Sequence, residues 1–316
     1  PFAVEMSASS PSQELTSKLV VNVIAIILIA GNNRLYFTPQ TLKTLKYICY
    51  AWFIIVIAVY LKSGVTSIGA VVSQLNSGSD VDSSSLYGIA EPLRDVFLTK
   101  NISAMCVVST FSLYLFISVN LNKKIGFIDF IIFFTVSLSF LSRQAIMGMI
   151  VLYGFYRFII AGRFSKVAVI AIFAIFAAFF FSHFFDLKNS NDGASQRLLL
   201  WKYLFEHYQN FLMLGNGVTA LNNMLNFSYQ IDNFHMFFMN QIGAYGLLHF
   251  ISFTLFLLFI FFRKDDVRGK VILLAGYLLN VCFQTYGYEY GNLFLFLCMY
   301  IKSKGSDHSQ PLTAER

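Results

Sequence analysis

The chain alternates between long apolar runs and shorter polar connections. A helix that crosses a bilayer needs roughly 17–25 mostly apolar residues. Nine runs reach or approach that length, at residues 15–31, 47–61, 102–120, 125–141, 144–160, 167–185, 234–262, 271–286 and 293–301. The run 234–262 is too long for one perpendicular helix, so we expect it to be strongly tilted or to project beyond the bilayer.

Composition narrows the class of protein. Of the 316 residues, 57% are hydrophobic and only 12% are charged, whereas soluble domains carry about 25% charged residues. So few charges cannot solvate a globular fold of this size, which excludes nucleic-acid-binding modules, secreted disulfide scaffolds and disordered chains. The sequence predicts an all-α protein, a polytopic transmembrane helical bundle that forms one integral membrane domain over residues 1–316.

The basic residues predict how the bundle is oriented. One set of connections carries fifteen Lys and Arg and the other carries eight, and cytoplasmic loops are the ones enriched in these residues. We therefore expect an outer loop at 62–101, a large periplasmic loop at 186–233 and a disordered cytoplasmic tail at 305–316. The N-terminus then lies outside without a signal peptide, which predicts further spans before it in a longer protein.

The four cysteines all lie inside apolar runs. None has CxxC or Cys/His spacing, so we expect packing residues rather than a zinc site or a disulfide framework. No other metal-ligand spacing is visible, and we expect no metal and no cofactor.

Arg143 lies in the sequence LSRQ, between two apolar runs with almost no loop. A guanidinium so close to the bilayer needs an anionic or carbonyl partner. One interpretation is structural, with Arg143 reaching lipid phosphate or a neighbouring carboxylate. The other is an anion clamp, because Arg makes bidentate contacts to phosphate.

A second polar region lies in the large outer loop. The segment SQRLLLWKYLFEHYQNF predicts a helix with Ser195 as N-cap that lies at the membrane interface, with apolar residues at 198, 201, 204, 205, 208 and 211 or 212. Arg197 and Trp201 are four residues apart and share one face, either as an anchor or as a site. Gly215 and Gly217 then supply the freedom for a sharp turn.

The third polar region opens the long run 234–262. Asp232 and Asn233 are typical N-cap residues for its helix, whereas Asp232, His235 and Glu289 are the groups best placed to accept a proton near the outer surface. His249 and the remaining histidines have no comparable context, and we expect them at the interface or in the core. Two glycines further along the run are typical of close helix packing.

The order of these features resembles the O-antigen polymerase and O-antigen ligase superfamily (Wzy and WaaL, the Wzy_C region). The resemblance covers about residues 125–262. Its motifs are a Ser-Arg turn, Arg-x-x-x-Trp on an outer helix, a Gly-x-Gly turn, and a [His/Asp]-Asn dipeptide followed by two spaced glycines. The corresponding residues are Ser142-Arg143, Arg197 and Trp201, Gly215 and Gly217, Asp232-Asn233, and Gly243 with Gly246.

One departure favours a polymerase within this superfamily. Ligases usually carry His where this chain has Asp232, and here a His follows three residues later. The resemblance implies transfer of a glycan from undecaprenyl diphosphate to a lipid-linked repeat unit, at the periplasmic face of a bacterial inner membrane. The partners implied are the lipid-linked oligosaccharide, membrane lipid, a chain-length regulator and a flippase, with no nucleic acid.

The resemblance also implies roles for the residues. Arg143 and Arg197 would stabilise the diphosphate leaving group, and Asp232 or His235 would deprotonate the attacking hydroxyl. Together with the two arginines, the residues expected to bind the substrate and its diphosphate are Trp201, Asn233, Gly215 and Gly217. The reaction is expected to be metal-independent and inverting. An O-antigen ligase, a flippase or other transporter of lipid-linked oligosaccharide, and a membrane scaffold remain as alternatives.

Overall fold

The computed structural model describes residues 13–31, 35–63, 91–97, 99–162, 166–171, 174–175, 178, 193–211, 213–229, 231, 233–262, 267–288 and 291–303. These residues are mostly helical, which confirms the predicted all-α class. The elements are α1 (Gln13–Gly31), β1 (Tyr36–Phe37), α2 (Pro39–Lys62), α3 (Lys100–Asn120), α4 (Phe127–Ser139), α5 (Arg143–Ile160), α6 (Gly193–Glu206), a 3-10 turn (Tyr208–Phe211), α7 (Val218–Tyr229), α8 (Phe237–Phe262), α9 (Val267–Phe283), α10 (Asn292–Leu297), a 3-10 turn (Cys298–Tyr300) and β2 (Lys302–Ser303).

Three of the described helices, α2, α3 and α8, are long and apolar enough to cross a membrane. Shorter apolar helices lie within α1, α4 and α9. Many large apolar side chains on α1, α2 and α8 point away from the protein and are exposed. A membrane protein accounts for both observations, because lipid tails cover apolar faces that water cannot.

The bounds of α1, α3, α4 and α5 follow the apolar runs within about two residues, whereas α2 and the last run differ most. α2 begins at Pro39 rather than at residue 47, because Thr38 and Pro39 start the helix within a polar stretch, the Thr38 N–H bonding to Thr41 Oγ1 at 3.2 Å. Residues 293–301 hold only the six-residue α10 and a 3-10 turn, which are too short to cross a bilayer by themselves.

Helix α3 is the centre of the bundle. In its most apolar stretch 72% of the residues are buried, against 11% in α2 and 33% in α8. It packs along α9 and also contacts α2, α4 and α5. Small residues allow the close approach: a Cβ on Gly148 of α5 would lie 3.3 Å from Val108 of α3.

Helix α8 is broken rather than simply tilted or extended. Gly246 has φ 83° and ψ 173°, which no helix contains, and it divides α8 into residues 237–245 and 247–262. This region of backbone space is open almost only to glycine. The excess length of the run 234–262 is therefore accommodated by a change of direction.

Two ends of the bundle can be distinguished. The strand end holds the parallel pair β1–β2, in which Tyr36 is opposite Lys302, together with residues 120–127 between α3 and α4. The loop end holds the start of α3, the α4–α5 turn, α6, α7 and the residues that follow α9. A hydrogen bond from Tyr60 Oη to the Ser139 carbonyl at 2.5 Å joins α2 to α4 there. All of the described site candidates lie at the loop end.

Candidate functional site

The predicted Ser-Arg turn joins α4 to α5 at the loop end. Leu141 has a left-handed backbone conformation with φ 54°, which is uncommon for a bulky side chain. Ser142 follows at the N-cap position, and Arg143 is the first residue of α5. The left-handed residue reverses the chain within three positions, so the tight turn predicted from the sequence is confirmed. Arg143 thereby stands at the N-terminus of a helix, where the backbone carries partial positive charge.

Lys100 is a second cation beside this turn, and the sequence analysis missed it. Only 8% of its surface is exposed, and its Nζ donates to the Leu141 carbonyl at 3.4 Å. It lies near enough to Arg143 for the two charges to repel each other. In the sequence, Lys100 is simply a basic residue that flanks an apolar run. Only the fold brings the start of α3 against the α4–α5 turn.

Several polar atoms around the turn are buried without a hydrogen-bond partner. They include Ser142 Oγ, Gln144 Nε2 and, one helical turn from Lys100, Ser103 Oγ. Ser142 is 1% exposed and makes no side-chain cap to α5. An unpaired buried polar group costs about 1–3 kcal/mol, so a concentration of such groups calls for an explanation.

Helix α6 brings Arg197 to the end of α9. Arg197 Nη2 donates to the Phe283 carbonyl at 3.5 Å, and the guanidinium lies 5.9 Å from the centre of the Phe283 ring. Trp201, one turn later, packs against the small apolar core formed by α6, α7 and the start of α8. Its Nε1 is buried without a hydrogen-bond partner, so it can still donate to a ligand.

The predicted description of α6 needs two corrections. The helix begins at Gly193, so Ser195 lies inside it and is not the N-cap. The apolar residues also do not form one face: Leu204 is buried in the loop-end core, whereas Leu198, Phe205 and Tyr208 are exposed. The helix has apolar residues on two sides, and the prediction merged the packed side with the outward one.

The Gly-x-Gly turn of the resemblance packs against α8 next to Gly246. Gly217 N donates to the Ala244 carbonyl at 2.9 Å, and a Cβ on Gly215 would collide with that same carbonyl. A Cβ on Gly246 would lie 2.5 Å from the Met213 carbonyl. The Gly-x-Gly turn therefore packs directly on the broken part of α8, where backbone meets backbone and no side chain fits. The predicted sharp turn and close packing are both confirmed.

Residues 233–236 form a compact turn ahead of α8. Asn233 Oδ1 accepts the His235 N–H, and Asn240 Oδ1 accepts the Phe234 N–H, both at 2.8 Å. His235 has φ 51°, a left-handed conformation that the Asn233 contact supports. Because α8 begins at Phe237, Asn233 is not its N-cap, and that prediction is wrong: Asn233 organises the preceding turn instead.

Of the three predicted proton acceptors, the structure describes only His235, which is half-buried. Asp232 and Glu289 lie outside the described residues. Within the described ranges, no group of three or more His, Cys, Asp or Glu residues is arranged to hold a metal ion. The described site candidates therefore supply guanidinium, indole, amide and imidazole groups.

A buried polar triad lies next to the break in α8. His249 Nε2 is 2.8 Å from both Gln241 Oε1 and Tyr288 Oη, and the Tyr288 hydroxyl donates to Gln241 Oε1 at 2.8 Å. The two halves of α8 are thus tied to the segment that follows α9. The sequence analysis placed His249 at the interface or in the core, and its polar partners could not be inferred because they are 8 and 39 residues away.

A second buried polar cluster joins α3, α9 and α10. Asn280 donates to Ser109 and, at 2.9 Å, to Asn292 Oδ1, while Asn292 donates to the Tyr286 carbonyl. A small pocket beside them is lined by Asn280, Asn292 and Tyr286 together with Ile102, Met105, Cys106 and Gln284. Asn280 Oδ1 is buried without a partner. Polar residues inside apolar runs were a signal available in the sequence, although Asn and Ser are too common for the pattern to be decisive.

Comparison of the chain with known protein families, with curated proteins and with solved structures gives no match. Its function is therefore argued from its own residues.

Proposed function

We propose that this protein is a membrane glycosyltransferase that polymerises lipid-linked oligosaccharide repeat units at the periplasmic face of a bacterial inner membrane. The observation that carries the proposal is the packing of the Gly-x-Gly turn and the residues just before it on Ala244 and Gly246 of α8. In the sequence these are separate weak motifs about 30 residues apart. Their direct contact supports the interpretation that they belong to one site, as the resemblance implies.

The proposed reaction is a single displacement. A sugar hydroxyl of the incoming unit attacks the anomeric carbon of the growing chain, and a new glycosidic C–O bond forms as the bond to the diphosphate oxygen breaks. Undecaprenyl diphosphate leaves with the electron pair, and the hydroxyl proton passes to Asp232 or His235. Arg143 and Arg197 stabilise the charge that develops on the diphosphate, while Trp201 and Asn233 position the substrate.

The membrane arrangement is part of the same proposal. Nine spans would cross the bilayer, including the run 167–185, and the connection 186–233 would form a periplasmic loop. The count of basic residues supports this orientation. The exposed apolar side chains of α6 support its placement at the membrane interface, since they have no cover in the described residues.

A ladder assay tests the function. Purified protein and one lipid-linked repeat unit should yield products of increasing length, resolved by gel electrophoresis and counted by mass spectrometry. A ligase would instead form no longer product until an acceptor such as lipid A core is added. A single product length with both substrates present would contradict the polymerase.

The base is tested by two substitutions in that assay. Asp232→Asn should express normally and lose about 10²–10⁴-fold in rate, because an amide cannot accept the hydroxyl proton. His235→Gln should be the milder change if Asp232 is the base. The opposite order would transfer the role to His235, and full activity in both would leave Glu289 or no side-chain base.

A transporter of lipid-linked oligosaccharide is the second candidate, and the break in α8 favours it. Broken helices that carry buried polar groups form the binding sites of many transporters, and Gly246 lies beside the Gln241–His249–Tyr288 triad. Transport without a ladder, measured with a fluorescent lipid-linked sugar in proteoliposomes, would establish this function in place of the polymerase.

A further inference from the structure

The pocket beside the polar cluster of α3, α9 and α10 has no role in the proposed reaction. Its walls come from the first two turns of α3, the last turn of α9 and residues that follow α9. Gln284 lines the pocket, and the residue before it, Phe283, accepts a hydrogen bond from Arg197 Nη2 at 3.5 Å. The pocket therefore lies next to the segment that contacts one of the two arginines proposed to hold the diphosphate.

Hydrogen bonding fixes the orientation of both amides in this cluster. Asn292 Nδ2 donates to the Tyr286 carbonyl, and a carbonyl can only accept, so Asn292 turns its Oδ1 towards Asn280. Asn280 Nδ2 donates to that oxygen at 2.9 Å and also to Ser109 Oγ. Both N–H groups of Asn280 are thus used. Its Oδ1 is left as a buried acceptor without a hydrogen-bond partner among the described residues, and Asn280 is 1% exposed.

The groups around the pocket favour an uncharged ligand that carries a hydroxyl. None of the described residues that line the pocket is acidic or basic. A buried acceptor is costly until a donor reaches it, and a hydroxyl can donate without bringing charge into the bilayer. The pocket and its mouth enclose about 240 Å³, below the roughly 300–1,000 Å³ of sites for drug-sized ligands. This space suits one sugar rather than an oligosaccharide.

We propose that the pocket is a sugar-binding subsite in which Asn280 Oδ1 accepts a hydrogen bond from a hydroxyl of a lipid-linked sugar. Gln284, which is half-buried, supplies a second amide to the wall of the pocket. Charged and neutral parts of one substrate are then bound separately, the diphosphate by the arginines and the sugar by the amides. The identification of this sugar as part of the repeat unit rests on the proposed function.

Direct binding tests the subsite separately from polymerisation. The protein is reconstituted in phosphatidylcholine nanodiscs and titrated either with the lipid-linked repeat unit or with sugar-free undecaprenyl diphosphate. Native mass spectrometry measures binding and distinguishes bound substrate from any elongated product. Asn280→Ala should weaken binding of the repeat unit by about three- to tenfold, as expected for the loss of one hydrogen bond. It should change the affinity for undecaprenyl diphosphate by less than about twofold.

Two further variants separate binding from folding. Ser118→Ala removes a different hydrogen bond of α3, from Ser118 Oγ to the Lys123 carbonyl at 3.0 Å, at the strand end. It should lower the melting temperature without changing either affinity. Cys106→Leu adds volume to the wall of the pocket and leaves Asn280 with its partners in place, so it should weaken binding of the repeat unit alone.

The outcomes distinguish the subsite from the proposed function. Repeat-unit binding that is unchanged in Asn280→Ala, or lost equally with diphosphate binding in both pocket variants, would overturn the subsite and leave water as the occupant of the pocket. Selective loss in a protein that forms no ladder would keep the subsite and remove the polymerase. A ladder from a protein that binds the repeat unit no more tightly than undecaprenyl diphosphate would do the reverse.

Discussion

The two ends of the bundle hold their lysines in opposite ways. At the strand end, Lys46 Nζ lies 2.5 Å from Asp129 Oδ1, and Tyr114 donates to the same carboxylate at 3.3 Å. At the loop end, Lys100 faces Arg143, a like charge. The first arrangement satisfies every group in it and needs nothing further. In the second, the nearby guanidinium adds to the cost of burying the Lys100 ammonium.

Buried polar atoms without hydrogen-bond partners are also distributed unequally between the strand end and the loop end. At the strand end, the Ile125 N–H bonds to Tyr156 Oη at 2.8 Å, and Lys270 bonds to the Phe261 carbonyl at 2.8 Å. Two unpaired hydroxyls, on Ser112 and Thr254, lie inside helices. Most of the others lie at or near the loop end, namely Ser103, Ser137, Ser142, Gln144, Trp201 and Asn280. Unsatisfied groups lower stability, so their concentration at the loop end supports the proposal that the site lies there.

The largest effect is expected from Gly246→Ala at the loop end. The residue has φ 83°, and a Cβ would lie 2.5 Å from the Met213 carbonyl, so alanine adds both backbone strain and a collision between fixed backbones. We expect a loss of about 3 kcal/mol or more and no polymer. Melting temperature and size-exclusion profile, measured in detergent, report the folding directly.

Gly162→Ala is the matched control at the other end of α5. No atom lies within 4 Å of the Cβ that it would add, so the melting temperature and the activity should stay close to wild type. If Gly246→Ala melts like Gly162→Ala and still polymerises, the packing of Gly246 on the Met213 backbone does not organise the site.

A smaller effect is expected from Asp129→Asn at the strand end. It removes the carboxylate from Lys46, and we expect a loss of roughly 1–3 kcal/mol in the free energy of unfolding. The rate per folded molecule should not change, because the pair is remote from the proposed site. A double-mutant cycle with Lys46→Gln measures the coupling. Lost diphosphate binding in Asp129→Asn would end the distinction between a structural end and a binding end.

The smallest effect on activity is expected from two cysteine substitutions for topology labelling. They report only which end of the bundle faces the periplasm. In a chain whose four cysteines are replaced, Gln209→Cys marks the loop end and Lys124→Cys the strand end, and both positions are exposed. Neither substitution should alter activity. An impermeant thiol reagent should label only Gln209→Cys in intact spheroplasts. Labelling confined to Lys124→Cys would put the loop end in the cytoplasm and exclude a periplasmic site.

The helices were largely predictable because apolar runs translate directly into membrane-length helices. The bounds of α3, α4 and α5 agree with the predicted runs within about two residues. The break at Gly246 was not predicted, since glycine is also common in unbroken membrane helices. The Met213 backbone, which leaves no room for a Cβ at this position, lies 33 positions earlier in the chain.

The candidate site was predictable only in part. Arg143 and Arg197 stand out in the sequence because charges beside apolar runs are rare, and each lies at the loop end. Lys100 does not stand out, because lysines commonly flank such runs. The proton acceptors were inferred from residue type alone, and among the described residues His235 is the one of the three that the structure places.

The sequence by itself determined the helical class, the apolar segments and the residue types available for chemistry, because these depend on composition and on local periodicity. Only the tertiary structure decided which groups meet: Lys100 with the Arg143 turn, Gly217 with Ala244, and His249 with Gln241 and Tyr288. Such contacts join distant parts of the chain, and their energies depend on burial and on neighbouring charges. No local pattern encodes those quantities, so they emerge when the helices pack.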